Sequence, residues 1–262
     1  MKLEFFQIDA FTDTIFGGNP ACVVPLTDWL PDSILLQIAK ENAVAETAFF
    51  IDRGSSFHLR WFTPEIEMDL CGHATLATAH CLKTHLGYTK NSITFDTLSG
   101  PLLVAVEDNL YKMDFPSRMP EVASLPKSIE DALSIKPVEV YKSRDYVLLY
   151  NNETDVRNIT IDRQFFDQIN LGTGGVIVTA VGDKSDFVSR FFTPQATILE
   201  DPVTGSAHCS LIPFWAKRLN KFTLSALQVS DRLGKLICEH HDDRVLICGT
   251  AKTYSMGHFW TD

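Results

Sequence analysis

The sequence predicts an α/β (α+β) chain built from two pseudosymmetric halves, each a mixed β-sheet around one central helix. Three observations lead there. Arg60-Trp61-Phe62-Thr63-Pro64 returns as Arg190-Phe191-Phe192-Thr193-Pro194, an offset of 130 residues (60 to 190). Each copy runs on into a glycine at the head of an apolar, small-residue segment, Gly72-His73-Ala74-Thr75-Leu76 and Gly205-Ser206-Ala207-His208-Cys209. Short β-like stretches flank both segments. A fixed-period internal repeat outranks local readings, because it says that one structural unit has been used twice. The division falls into residues 1–117 and 118–262, with the tail 250–262 free to return to the first half.

In chain order, Leu3 to Phe11 has strand character, and Gly17-Gly18-Asn19-Pro20 turns the chain into a second strand from Ala21 to Pro25. Pro31 suits a helix start, and Ile34, Leu35, Ile38 and Ala39 follow at helical spacing. Val44 to Ile51 and His58 to Phe62 read as strands. Gly72 to Leu86 reads as a largely buried helix that Gly87 terminates. Strands follow over 93–95, 102–107 and 111–115, and the three prolines within 116–126 mark a linker. The second half repeats the order: strands over 138–141, 146–150, 174–180 and 187–192, a helix near 163–169, and a central helix over 205–219. Pro213 inside that helix predicts a kink or the loss of one backbone bond.

Composition sets the function class. The 262 residues are 45% hydrophobic and 21% charged, with a formal charge of −10 from 23 Lys+Arg against 33 Asp+Glu. That is ordinary globular material, and its sign argues against nucleic acid or an anionic membrane as partner. A small anionic substrate needs only local donors. Lys2, Glu4 and Asp9 interrupt the N-terminal apolar residues, so no secretory signal is expected. No stretch approaches the roughly 18 apolar residues of a membrane span. Six scattered cysteines then read as reduced thiols in a cytoplasmic protein.

Glu46 is the sharpest candidate for chemistry, a carboxylate between Val44-Ala45 and Ala48-Phe49-Phe50-Ile51. Apolar surroundings suit a group that must take and return a proton near neutrality. The alternative is a strand-end acid facing solvent. The matching region Gly172-Thr173-Gly174-Gly175 has no acid, so the repeat is broken there. His73 follows Gly72 at a helix start, where unpaired N–H groups bind anions; it reads as an anion donor or as a packed imidazole. Matching Gly72 to Gly205 aligns His73 with Ser206 and Cys71 with Thr204. Asp201, in Glu200-Asp201-Pro202-Val203-Thr204, is a carboxylate that would orient His73, or an ordinary turn residue before proline. Cys71 would be a base if it were a thiolate, but a two-base racemase needs a twin, and Thr204 stands in its place. His73, His80 and His85 share no helical face, so a metal site is not expected. There is no dinucleotide fingerprint and no cofactor lysine, so the expected cofactor is none.

Four segments, FGGNPACVV (16–24), AETAFF (45–50), RWFTPEIEMDLCGHATLATAH (60–80) and SRFFTPQATILEDPVTGSAHCSL (189–211), resemble the PhzF (phenazine biosynthesis-like) family over nearly the whole chain. The resemblance implies the diaminopimelate epimerase-like fold, with two pseudosymmetric halves, each a curved mixed sheet around a central helix, and an active site between them. It also implies a cofactor-independent homodimer that moves a proton within a small carboxylate-bearing substrate, a cyclic conjugated one in its best-understood members. By motif position the family's acid/base glutamate falls on Glu46, its histidine on His73, its aspartate on Asp201 and its substrate-facing serine on Ser206. Gly72, Gly205 and Asn19 join Ser206 as expected substrate-binding residues. The epimerase relatives use two cysteines, and only Cys71 sits at a comparable place. A Cys71-assisted racemase and a non-catalytic binding protein are the rival readings.

Overall fold

A computed structural model of the chain describes residues 1–261. It comprises two compact units: Met1–Phe115 together with the chain from Ile247 onward, and Pro116–Leu246. The chain leaves the first unit after Phe115 and re-enters it at Ile247.

The first unit runs β1 (Lys2–Ala10), β2 (Asn19–Leu26), α1 (Asp32–Asn42), β3 (Glu46–Asp52), β4 (Phe57–Phe62), β5 (Glu67–Met68), α2 (Gly72–Thr84), β6 (Ser92–Thr97), β7 (Gly100–Glu107) and β8 (Leu110–Pro116). The second runs β9 (Glu121–Val122), α3 (Lys127–Ala132), β10 (Glu139–Lys142), β11 (Tyr146–Leu149), α4 (Glu153–Asn158), α5 (Arg163–Phe166), β12 (Val176–Val181), β13 (Phe187–Phe192), β14 (Glu200–Asp201), α6 (Gly205–Leu219), β15 (Thr223–Gln228) and β16 (Gly234–His241). Then β17 (Arg244–Gly249) carries the chain back, and β18 (Ala251–Trp260) pairs antiparallel with β1 in the first unit.

The ladders show the repeat. β1–β2 and β10–β11 are antiparallel, β2–β3 and β11–β12 parallel, β3–β4 and β12–β13 antiparallel. The short β5 and β14 then fold back antiparallel on β4 and β13. A helix follows in each unit, and the next strand, β6 or β15, returns parallel to β4 or β13. Arg60 on β4 forks onto Glu67 at 2.7 Å and lies 5.0 Å over the Phe62 ring; Arg190 on β13 forks onto Glu200 at 2.7 Å and lies 4.9 Å over Phe192. The offset grows from 130 at the arginines to 133 at the glycines (72 to 205) because the loop 193–199 is longer than its counterpart 63–66.

The central helices are buried on nearly every side, so they lack the single apolar stripe of a surface helix. In α2 the small Gly72, Ala74, Ala77 and Ala79 allow close sheet approach. Thr75 and Thr78 satisfy their buried hydroxyls on the carbonyls of Cys71 and Ala74, at 2.6 and 2.7 Å. In α6 the helix runs unbroken through Pro213. Pro213 has no N–H for the Cys209 carbonyl, and the backbone N–H of Arg118 takes that carbonyl instead at 2.8 Å. The proline-rich linker is thereby tied to the helix. Among the described residues no helix is long and apolar enough to cross a membrane.

Candidate active site

The first unit brings Glu46, His73, Asn19 and Cys71 together. Glu46 is the first residue of β3 and sits in register beside Ala21 of the parallel β2, whose first residue is Asn19. His73 is the second residue of α2, behind the N-cap Cys71. Glu46 Oε2 lies 3.0 Å from His73 Nε2, with side-chain exposures of 15% and 4%. The two atoms are close enough to pair, yet neither makes a directed hydrogen bond, and both are buried. This is a carboxylate and an imidazole in contact, each with bonding capacity unspent.

The other imidazole nitrogen is held from its own unit. Asn19 Nδ2 lies 3.2 Å from His73 Nδ1, and the Cys71 sulfur 3.6 Å from the same atom. In the neutral ring Nδ1 accepts from Asn19 and the proton sits on Nε2, facing Glu46. In the charged ring the Nδ1 proton has the sulfur to meet. Burial opposes the charged ring, but the negative groups around it outweigh burial and hold His73 well above the usual imidazole range. Cys71 is pushed up to about 11, by burial first and then by the charge of Glu46. It is therefore a thiol at neutral pH; Cys71 is the first of the groups that raise His73 and Glu46 the second. A thiol held that high is a poor base.

Glu46, Cys71 and His73 place donor atoms within 4.8 Å of one another. The ring meets the carboxylate with Nε2 and the thiol with Nδ1, and one ring cannot turn both nitrogens onto one ion. The arrangement is that of a hydrogen-bond relay more than a convergent ligand set.

The second unit holds Asp201, Gly205 and Ser206. Asp201 ends β14 and accepts from the Thr204 hydroxyl at 2.6 Å. Gln228 ties the same corner, accepting from the Thr204 N–H at 2.8 Å and donating to the Asp201 carbonyl at 2.7 Å. Ser206, second residue of α6, accepts from Arg144 Nη2 at 2.9 Å. Thr47 pairs with Phe62 in one unit and Val176 with Phe192 in the other, so Gly175 stands at the position of Glu46. Likewise Met68 stands where Asp201 does, each opposite the first aromatic of its strand motif.

Arg144 and Asp145 were not singled out by sequence reasoning. Their meaning depends on the register of β11 against β12, which places Asp145 beside Gly175. His80 bonds to Tyr111 and Thr253, and His85 to Thr253. Burial lowers His80 to about 4, so both histidines read as parts of a packed polar network. His208 donates from Nδ1 to the Thr204 carbonyl at 2.8 Å, and burial lowers it to about 4. It does for α6 what Thr75 does for α2. His240 and His241 lie around a tight turn at Asp242, whose φ is 52°.

A family model described as phenazine biosynthesis-like protein matches residues 8–257. An uncharacterized isomerase of Pseudomonas aeruginosa is 46% identical over 257 residues, covering 98% of both chains. An uncharacterized isomerase of Halalkalibacterium halodurans is 39% identical over 259 residues, covering 97% of both. Among solved structures, a phenazine biosynthesis protein of the PhzF family from Enterococcus faecalis superposes with a TM-score of 0.94 at 47% identity, covering 100% of both chains. A hydroxyproline epimerase from Agrobacterium vitis shares the fold at a TM-score of 0.63 and 9% identity, covering 98% of this chain and 92% of that one.

Proposed function

This chain belongs to the phenazine biosynthesis-like protein family, and from that premise we propose that it is an isomerase that moves a proton within a small carboxylate-bearing substrate, with Glu46 as the acid and base. One observation carries the reading. Glu46 Oε2 and His73 Nε2 are buried, 3.0 Å apart, and each lacks a directed hydrogen bond. Unspent polar capacity in a buried place is costly, and it is the state expected of groups that complete their bonding on a substrate.

Glu46 takes a proton from an acidic C–H and returns it to a neighbouring carbon. His73, whose Nδ1 accepts from Asn19 so that its proton sits on Nε2 toward Glu46, stabilises the negative charge that develops. The helix starts, Gly72-His73 in the first unit and Gly205-Ser206 in the second, are the anion-binding candidates, and Asp201 is a further catalytic candidate. Acid–base catalysis of this kind is worth roughly 10² to 10⁴-fold, with positioning and electrostatics supplying the rest. The protein acts without a cofactor, as a cytoplasmic homodimer.

The test is incubation of the protein with a pool of cell metabolites in heavy water. A carboxylate-bearing compound gains mass with the wild-type chain and gains none with Glu46→Gln. No mass gain in any compound favours a binding protein without turnover. The Cys71 racemase reading predicts that Cys71→Ser abolishes exchange; the present reading predicts a loss of less than about tenfold, since the thiol is neutral and meets the ring on the side away from Glu46.

A further inference from the structure

In the second unit, Asp145 is the buried residue just before β11, and it accepts the backbone N–H of Gly175 at 2.8 Å. Its two oxygens also take Arg144 Nε at 3.1 and 3.2 Å, and Oδ2 takes Nη2 at 2.9 Å. The glycine loop is what permits this. A Cβ on Gly174 would lie 2.9 Å from the Arg144 carbonyl, and one on Gly175 would lie 2.4 Å from the Phe191 ring. The fork onto Asp145 fixes the plane of the guanidinium.

That guanidinium is aimed at the first turn of α6. Arg144 Nη2 donates to Ser206 Oγ at 2.9 Å. A guanidinium only donates, so Ser206 must accept with its oxygen, and its own proton is left for another acceptor. Among the described residues Arg144 hydrogen-bonds through Nε and Nη2 and not through Nη1, and the side chain is 25% exposed. A second cation stands close by. The carbonyl released by Pro213 anchors the Arg118 backbone at Cys209, one turn beyond Ser206, and the buried Arg118 Nη1 has no acceptor among the described residues. Burial pushes the Cys209 thiol up to about 11, and the charges of Arg118 and Arg144 both act against that rise. The corresponding place in the first unit holds Pro20 and Ala21 and no cation.

Neutralising Asp145 would need only one ion pair. It would not need a serine turned into a donor, or two guanidinium edges without acceptors, beside unpaired helix N–H groups. We propose that Arg144 is the carboxylate-binding residue of this protein, with Ser206 and Arg118 completing an anion site at the head of α6. The inference rests on the reading of the substrate as a carboxylate and adds the residue that recognises it. The planar edge of the guanidinium suits a carboxylate better than a tetrahedral anion.

Calorimetric titration of the full chain with benzoate, benzamide and inorganic phosphate tests this. Wild type binds benzoate at least tenfold more tightly than benzamide, and more tightly than phosphate. Arg144→Gln loses at least tenfold in benzoate affinity, Arg144→Lys and Ser206→Ala lose several-fold, and benzamide is indifferent to all three. Should Arg144→Gln fail to fold with Asp145 unpaired, Arg144→Met combined with Asp145→Asn keeps an acceptor for Gly175 and decides the matter by the same loss. Wild type that does not prefer benzoate over benzamide overturns the proposal, as does tighter binding of phosphate or a folded Arg144 variant that holds benzoate like wild type. Glu46→Gln binds benzoate no more weakly than wild type, so loss of its proton exchange and loss of the anion site are read separately.

Discussion

The two units share a scaffold and differ in what each does with an acid. The Arg60–Glu67 fork has its twin in Arg190–Glu200, the small-residue helix α2 has its twin in α6, and the ladders match strand for strand. None of the chemical candidates is duplicated. In the repeat Glu46 corresponds to Gly175, His73 to Ser206, Cys71 to Thr204, and Asp201 to Met68. The first unit leaves a carboxylate under-bonded against an imidazole. The second moves its carboxylate one strand over, to Asp145, and saturates it with an arginine fork and a backbone N–H. Duplicated features answer to folding, and a feature present once answers to something the fold does not need.

Stability measurements sharpen this contrast. Asp145→Ala strips a fully buried carboxylate from Arg144 and Gly175, and urea unfolding should show a loss of about 4 kcal/mol, as expected for breaking a buried pair. An acid limb comes next. His208 is neutral and buried when folded and lowered to about 4, so below its unfolded value near 6.5 the unfolded chain binds the extra proton. Stability therefore falls as pH drops from 6.5 to 4, by on the order of 3 kcal/mol from this group; His208→Asn should flatten that limb. In the first unit His73 works the other way, its contribution present below pH 6.5 and lost as pH rises through its raised folded value. Smallest is a paired substitution at equivalent positions. Gly175→Ala forces a methyl against Phe191 and should cost about 2 kcal/mol, whereas Glu46→Ala, read above the pH at which His73 gives up its proton, should stay within about 1 kcal/mol, because it removes an acid the fold does not satisfy. Equal losses at the two positions would erase the distinction between the units.

Much of this organisation is legible in the residues. The Arg-aromatic-Phe-Thr-Pro motif locates β4 and β13, and the glycine-led small-residue runs locate α2 and α6, because a long buried helix and a strand have distinct periodicities. The two-residue β5 and β14 and the short α3 and α4 are not, since they have too few residues for any period and exist through tertiary pairing. Pro213 announces a lost backbone bond, which the structure has, but not that a linker residue would take the orphaned carbonyl. Glu46 and His73 are legible as candidates by type and setting. Asn19, expected on the substrate, bonds to the His73 ring. Arg144 and Asp145 are hidden because adjacent opposite charges at a strand start are commonplace, and only the β11–β12 register gives them a purpose.

The most direct test of the central claim is deuterium incorporation into the substrate found in heavy water, measured for Glu46→Gln alongside its benzoate affinity. The account predicts exchange reduced by at least about 10³-fold while benzoate still binds as in wild type. Exchange at the wild-type rate in that variant would contradict it, and would take the proton away from Glu46.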